Sequence, residues 1–303
     1  MDQSQYRPAP SADFVLPFDL PNIGMRGRLL RLDAVSTRAL AAHPLPEGAQ
    51  RILAEALALS ALLGSALKFE GRLSVQTKGD GPLTLLVTDY FAGGGLRGYA
   101  RVDERRFAHA GNPSDFGTLV GEGALAITIE PKQGAQSYQG LVPLSPDGLA
   151  ASAEIYFAQS EQLPTMLRLA AGPIYRSGAG RGWRAGALMV QAVPGAKSDD
   201  ATSSDDWERV ALFMETLQAI ELLDTELAAE TVLWRLFHED EVRVHPSQAL
   251  HFECSCEAER VRAVLRSYPA SELKELPDPD GVIRTRCEFC GTVYEFPLQT
   301  LSV

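Results

Sequence analysis

The sequence predicts an α+β fold in three parts: a mixed sheet-and-helix core over 1–195, an acidic helical linker over 196–248 and a small cysteine-bearing α+β unit over 249–303. Three observations predict it. Short β-rich runs punctuated by glycine surround one long apolar helix in the first part. A stretch of small polar residues then gives way to acidic segments with a helical apolar period. All four cysteines of the 303-residue chain lie in its last fifth.

Taken in order, GMRGRLLRL (24–32) alternates as a strand does, and ILAEALALSALLGSAL (52–67) is the centre of a helix over roughly 48–67. That run is broken by Glu55, Ser60 and Gly64 and is too short to span a bilayer, so it reads as a buried core helix. The β-rich runs on either side of Gly79-Asp80-Gly81 predict a hairpin whose turn uses the positive φ that Asp-Gly tolerates. Further strands are expected at LRGYARVD, GALAITIE and SYQGLVPL, a helix over about 147–159, and strands near MLRLAAG and GWRAGALMVQAV. PGAKSDDATSSDD (194–206) is a polar connection into a helix, with Asp205 as N-cap and Glu208 completing a capping box. From there Trp207, Val210, Met214, Leu217, Ile220 and Leu223 recur at three- and four-residue steps, one apolar stripe on an otherwise acidic helix. A second helix spans about 226–238. After Pro246 come Cys254-Ser-Cys256, helices in EAERVRAVLRSY and ASELKEL, a turn at PDPDG, and two strands flanking Cys287-Glu-Phe-Cys290.

Composition narrows the function. With 45% hydrophobic and 22% charged residues the chain has enough apolar content for a substantial core. The N-terminus carries no basic segment followed by an apolar run, so a reducing cytoplasm is the expected compartment. There, clustered cysteines bind metal or sense redox state more often than they form structural disulfides. The net charge of −11 is concentrated: between Ser198 and His245 there are thirteen acidic residues and three basic ones. Such a segment repels a phosphate backbone, which argues against a nucleic-acid partner, and no P-loop or dinucleotide fingerprint occurs. The glycine clusters AGGGLRG and GAGRG read as tight turns.

Four thiolates fill a tetrahedral structural Zn2+ site with sulfurs at about 2.3 Å from the ion. Cys287-x-x-Cys290-Gly291 has the form of a zinc knuckle, and in an extended Cys254-x-Cys256 both side chains project to one face. One zinc per chain, held by Cys254, Cys256, Cys287 and Cys290, is therefore expected. Tetrahedral geometry leaves sulfurs roughly 3.8 Å apart, close enough for small movements to form disulfides of about 2.05 Å. Two readings stay open: a permanent zinc staple for a unit too small to bury a core, or a centre that exchanges zinc for disulfides on oxidation. His245 and His251 flank the first pair, but four cysteines already close the tetrahedron, which leaves no open position for a zinc hydrolase. His43, His109 and His238 are scattered, and QSEQ (159–162) has no placeable histidine partner, so no catalytic residue is expected.

The wording around the cysteines goes further. VLWRLFHEDEVRV before a C-x-C and a final C-x-x-C-G resembles the redox-regulated heat-shock chaperone family, the thirty-three-kilodalton heat-shock proteins. LKFEGRLSVQTKGDGPLTLLVTDY, LRGYARVD, YQGLVPL and YFAQSEQLPT resemble that family's N-terminal domain in the same order. The resemblance implies a non-enzymatic, ATP-independent holdase, silent while reduced and zinc-bound, with a C-terminal zinc-binding redox switch. On oxidation it implies disulfides Cys254 to Cys256 and Cys287 to Cys290, linker unfolding, dimerisation and binding of unfolding client proteins, with no nucleic-acid or membrane partner. The linker stripe is the candidate latch and client-binding surface.

Overall fold

The computed structural model describes residues 12–132, 136–176, 180–194, 204–224 and 226–301. The connection at 195–203 lies outside the described residues. The chain divides into two compact units, Met1–Phe252 and Glu253–Val303. The linker helices belong to the first unit, and the division falls just before the C-x-C.

In the first unit, β1 (Phe14–Leu20) and β2 (Met25–Leu32) pair antiparallel and lead into α1 (Ala34–Ala41) and α2 (Glu47–Ala66). Asp13 sits just before β1, and its carboxylate accepts the amides of Asp33, Ala34 and Val35, capping α1 from a distant part of the sequence. Strands β3 (Gly71–Gly79), β4 (Leu83–Phe91) and β5 (Gly95–Val102) follow. Next come α3 (Glu104–His109), α4 (Phe116–Val120), β6 (Gly123–Pro131), β7 (Tyr138–Pro143) and α5 (Leu149–Tyr156). The long strands β8 (Thr165–Arg176) and β9 (Gly180–Ala192) precede α6 (Ser204–Thr216), α7 (Ala219–Leu223) and α8 (Ala229–Phe237). Three two-residue strands, β10 (Arg243–Val244), β11 (Gln248–Ala249) and β12 (His251–Phe252), end the unit.

These strands make two sheets. One has the order β10-β1-β2-β9-β8, with β11 also on β1; the other runs β12-β5-β4-β3-β6-β7. α2 touches strands of both, as an apolar helix with thirteen buried residues must. Its alanines and Gly64 allow close approach: a Cβ at Gly64 would fall 2.1 Å from the Tyr90 ring. Half-buried Glu55 interrupts this surface, and burial pushes its carboxyl up to about 7, with Arg51 opposing. The other face of the first sheet is covered by α6–α8, whose apolar side chains form a second core with Leu29, Met166, Ala170, Leu188 and Val190.

The predicted hairpin is β3–β4, but its glycines serve a different need. Neither Gly79 nor Gly81 has positive φ; a Cβ at Gly79 would sit 2.0 Å from the Val120 carbonyl, and one at Gly81 2.5 Å from that of Leu119. Close backbone approach, not turn geometry, selects them. In AGGGLRG, Gly93 and Gly94 do take φ of 107° and 103°, and a Cβ at Gly94 would meet the Ala249 carbonyl at 2.6 Å.

The linker helix also differs from its expected form. α6 stops at Thr216 and α7 restarts at Ala219 behind a capping box made by Gln218 and Glu221. Asp205 lies in the first turn of α6 rather than at its N-cap. Because the register changes at the break, Leu222 is buried in place of Ile220, which is 68% exposed.

In the second unit, α9 (Ala258–Arg266), α10 (Ala270–Leu273) and the antiparallel pair β13 (Val282–Arg286) and β14 (Val293–Pro297) enclose a core of Leu265, Leu273, Ile283, Phe296 and Leu301. So small a core is marginal without a staple.

Candidate metal centre

Cys254 and Cys256 lie on the extended segment before α9, and Cys287 and Cys290 on the turn between β13 and β14. Gly291 takes φ of 73°, its amide donates to the Cys287 carbonyl at 2.8 Å, and the Cys287 amide donates to Thr292 O at 2.9 Å. This tight turn brings two sulfurs to one side, and β-pairing fixes the turn. All four Sγ atoms lie within 4.8 Å of one another. Cys254 is 3.7 Å from Cys287 and Cys256 is 3.3 Å from Cys290, near the roughly 3.8 Å of a tetrahedral tetrathiolate.

The electrostatics fit a cation. Burial pushes the Cys254 thiol up to about 12 and raises Cys287 as well. For Cys290 burial works upward too, but hydrogen bonds with the Thr292 hydroxyl and amide and with neighbouring thiols bring it down to about 6. Four thiols this close cannot all ionise without a positive charge among them, and a divalent ion supplies it. Tyr294 Oη donates to Cys256 Sγ at 3.2 Å. The residues present therefore fit Zn2+ by donor type, number and spacing. The cluster contains neither His245, whose Nε2 lies 2.6 Å from Asp19 Oδ2, nor His251.

The candidate latch residues lie together in the first unit with one exception. Val210, Met214 and Leu217 are buried against the first sheet, and Trp207 and Leu223 pack partly buried around them, while Ile220 faces outward. Buried Leu222, Val232, Leu233, Leu236 and Phe237 complete the contact, with Phe237 stacked on Phe18 at 5.9 Å. Polar ties hold it as well. Arg209 bridges Asp206 at 3.0 Å and buried Asp240 at 2.7 Å, and Arg31 and Arg184, on β2 and β9, donate to carbonyls of α7 and the residues after it. Sequence reasoning missed these arginines, because nothing in GRLLRL marks a strand arginine as buried. It also missed Thr292, although its position just after a zinc-knuckle glycine was a usable signal, and Tyr294, whose contact with Cys256 depends on strand register. The QSEQ segment forms a π-helical turn in which Glu161 accepts the Tyr156 hydroxyl at 2.7 Å.

The profile of the family described as "Hsp33 protein" matches residues 13–297. A protein of Caulobacter vibrioides named 33 kDa chaperonin is 41% identical over 286 residues, covering 93% of this chain and 94% of the relative. Proteins with the same name from Cronobacter sakazakii and Shigella flexneri are 40% and 37% identical, covering 93% and 95% of this chain and 91% and 94% of their own lengths. The crystal structure of a Thermotoga maritima 33 kDa chaperonin superposes with a TM-score of 0.76 at 23% identity, covering 95% of this chain and 97% of that one, which shows a shared fold. From the profile match and these relatives, the chain belongs to the Hsp33 protein family.

Proposed function

We propose that this protein is a redox-regulated, ATP-independent holdase chaperone of the cytoplasm that binds unfolding proteins once its four-cysteine centre is oxidised. The observation that carries the reading is the convergence of Cys254, Cys256, Cys287 and Cys290 to within 4.8 Å in a unit with a small core. The chaperonin names of the relatives support the chaperone part. Zinc, when bound, keeps the sulfurs deprotonated and staples the unit.

The chemistry of the switch is balanced on the cysteines. A thiolate attacks peroxide and breaks its O–O bond, giving a sulfenic acid, with hydroxide leaving. A neighbouring thiol then attacks that sulfur and expels water, so each peroxide takes two electrons and leaves one disulfide. Pairing of Cys254 with Cys256 and of Cys287 with Cys290 suits the short loops of one and two residues. All four sulfurs lie within 4.8 Å of one another and the contacts at 3.7 and 3.3 Å run between the two halves, so cross-pairing competes for as long as the unit stays folded. Loss of the staple unfolds the second unit, α6–α8 leave the first sheet, and the exposed apolar surface binds clients as a homodimer.

The test is zinc release and light scattering of a heated client, followed together before and after peroxide. Zinc loss accompanied by suppression of aggregation is expected. Zinc retained after peroxide, with no change in scattering, would overturn the switch in favour of a permanently stapled interaction protein.

A further inference from the structure

We propose that the cavity between β2, β6 and the end of α2, closed by the π-helical QSEQ turn, binds a small carboxylic acid with an apolar body and receives its carboxylate on Arg26. The cavity lies on the α2 side of the first sheet, away from α6–α8, so the proposal stands apart from the redox reading.

Most of its lining is apolar. Leu63 and Leu67 from the last turns of α2, Leu73 of β3, Ile127 and Ile129 of β6 and Phe157 of the π turn line a space of about 150 Å3. Drug-sized ligands occupy roughly 300 Å3 or more, so this one suits a short hydrocarbon body. Leu67 is 43% exposed, and the cavity opens to solvent past the helix end.

One wall is different. Arg26 and Gln191 face each other across β2 and β9, and both reach the cavity. The Nε of Arg26 is buried and has no hydrogen-bond partner among the described residues. Such donors are rare, because leaving one unmade costs free energy that a ligand returns. Arg28, two residues on and on the same face, has a buried Nε in the same condition, so two like charges lie side by side. Burial first and the charge of Arg26 second hold the Arg28 guanidinium below its usual range, against smaller opposition from Asp19. The surrounding carboxylates are engaged elsewhere. Asp19, across from Arg26 on β1, lies 2.6 Å from His245 Nε2, and Glu161 accepts the Tyr156 hydroxyl at 2.7 Å. An anion from solution supplies the missing partner; a carboxylate matches the guanidinium fork, and the apolar lining selects an acid with a hydrocarbon body.

The turn that closes the cavity is irregular for a reason. After α5 the helix widens into a π turn at Phe157–Glu161, and Gln162 follows at φ of 52°, a left-handed conformation that costs a residue with a side chain. Turns of this kind gather at functional sites. Here the widened backbone carries Phe157, Glu161 and Leu163 onto the cavity.

The experiment uses the full, reduced, zinc-loaded chain with octanoate as probe and octanol and octylamine as controls with the same tail. In protein with labelled isoleucine methyls, octanoate is expected to shift Ile127 and Ile129 saturably and to raise the melting temperature. Octanol should bind at least about tenfold more weakly, and octylamine not at all. Arg26→Gln should bring octanoate down to the octanol level, and Arg26→Lys should keep part of the difference. No shift at the two isoleucines, or equal affinity for acid and alcohol in the parent, would overturn the site whether or not the variants fold. Octanoate bound equally by the parent and Arg26→Gln would overturn it as well. Sedimentation of the same samples tests for another occupant: chain association that Arg26→Gln abolishes and octanoate leaves intact would give the cavity to a second copy and sink the ligand.

Discussion

Each sulfur of the cluster is individually placed, and Tyr294 shows how much a single hydroxyl contributes. Its hydrogen bond to Cys256 Sγ is of the kind that orients a metal ligand and spreads its charge, and loss of such partners typically costs 10- to 100-fold in metal affinity. Reduced protein is expected to hold one zinc per chain. Tyr294→Phe should lower its affinity by about tenfold in chelator competition, and Cys254→Ser should lower it much further. Zinc retained by Cys254→Ser as tightly as by the parent would remove that ligand from the assignment. After peroxide, peptide mapping should find Cys254 joined to Cys256 and Cys287 joined to Cys290; predominant cross-pairing would mean that the unit stays folded while it oxidises. The cysteines were legible in the sequence because spacers of one and two residues leave little freedom in where the sulfurs point. Tyr294 was not singled out, since its contact depends on the register of β13 with β14.

Two elements carry predictions of their own. In α2, Glu55 is held near a pKa of about 7 in the folded chain by burial, against an ordinary value of 4.5. The unfolded chain therefore loses its proton first as pH rises, so folding stability falls between about pH 4.5 and 7 and is then level. That window corresponds to on the order of 3 kcal/mol. Glu55→Gln should raise the melting temperature at pH 8 and leave it nearly unchanged at pH 4.5; an equal effect at both would show that packing, not charge, is responsible. In the linker, Met214→Asp/Leu217→Asp places two unpaired carboxylates against the first sheet, at a cost of roughly several kcal/mol. The double variant should become protease-sensitive over 204–245 and suppress client aggregation while reduced and zinc-loaded. If it keeps its zinc and stays silent until oxidised, the latch lies elsewhere. The stripe itself could be read only up to the helix break. Periodicity located Val210, Met214 and Leu217, but it cannot register the two residues between α6 and α7, and so it placed Ile220 inside and overlooked Leu222.

For the whole molecule the division into two units has a direct thermodynamic consequence. Among the described residues the second unit buries a core of five large side chains beside its four-cysteine cluster, whereas the first has two extensive cores of its own. Chelation of zinc from the reduced chain should therefore unfold Glu253–Val303, seen as rapid amide exchange there while α2 and β9 stay protected. Loss of protection throughout would mean that the units fold as one. The α+β class was legible because β-runs and one apolar helix dominate the sequence. The sheet orders were not: β1 contains Pro17 and reads poorly as a strand, and β10, β11 and β12 are two residues each and have no period to detect. The clasp by Arg31 and Arg184 was hidden for another reason, since three of its four hydrogen bonds join residues some 190 positions apart.

Those same brief strands set how the chain would respond to force. Between α8 and the first cysteine the backbone is tacked to β1 at Val244 and Arg243, again at Gln248 and Ala249, and then to β5 at His251 and Phe252, crossing from the edge of one sheet to the edge of the other. Each tack is two residues long and can open without disturbing its neighbour. Tension applied from the C-terminal side would peel them one at a time, beginning at Phe252, at loads far below those needed to shear β8 from β9. A tethered molecule pulled in an optical trap should lengthen in small early steps before the sheets yield. A seam of this kind would open from the cysteine end, with a delay set by the number of stitches rather than by the stability of the body they are sewn to.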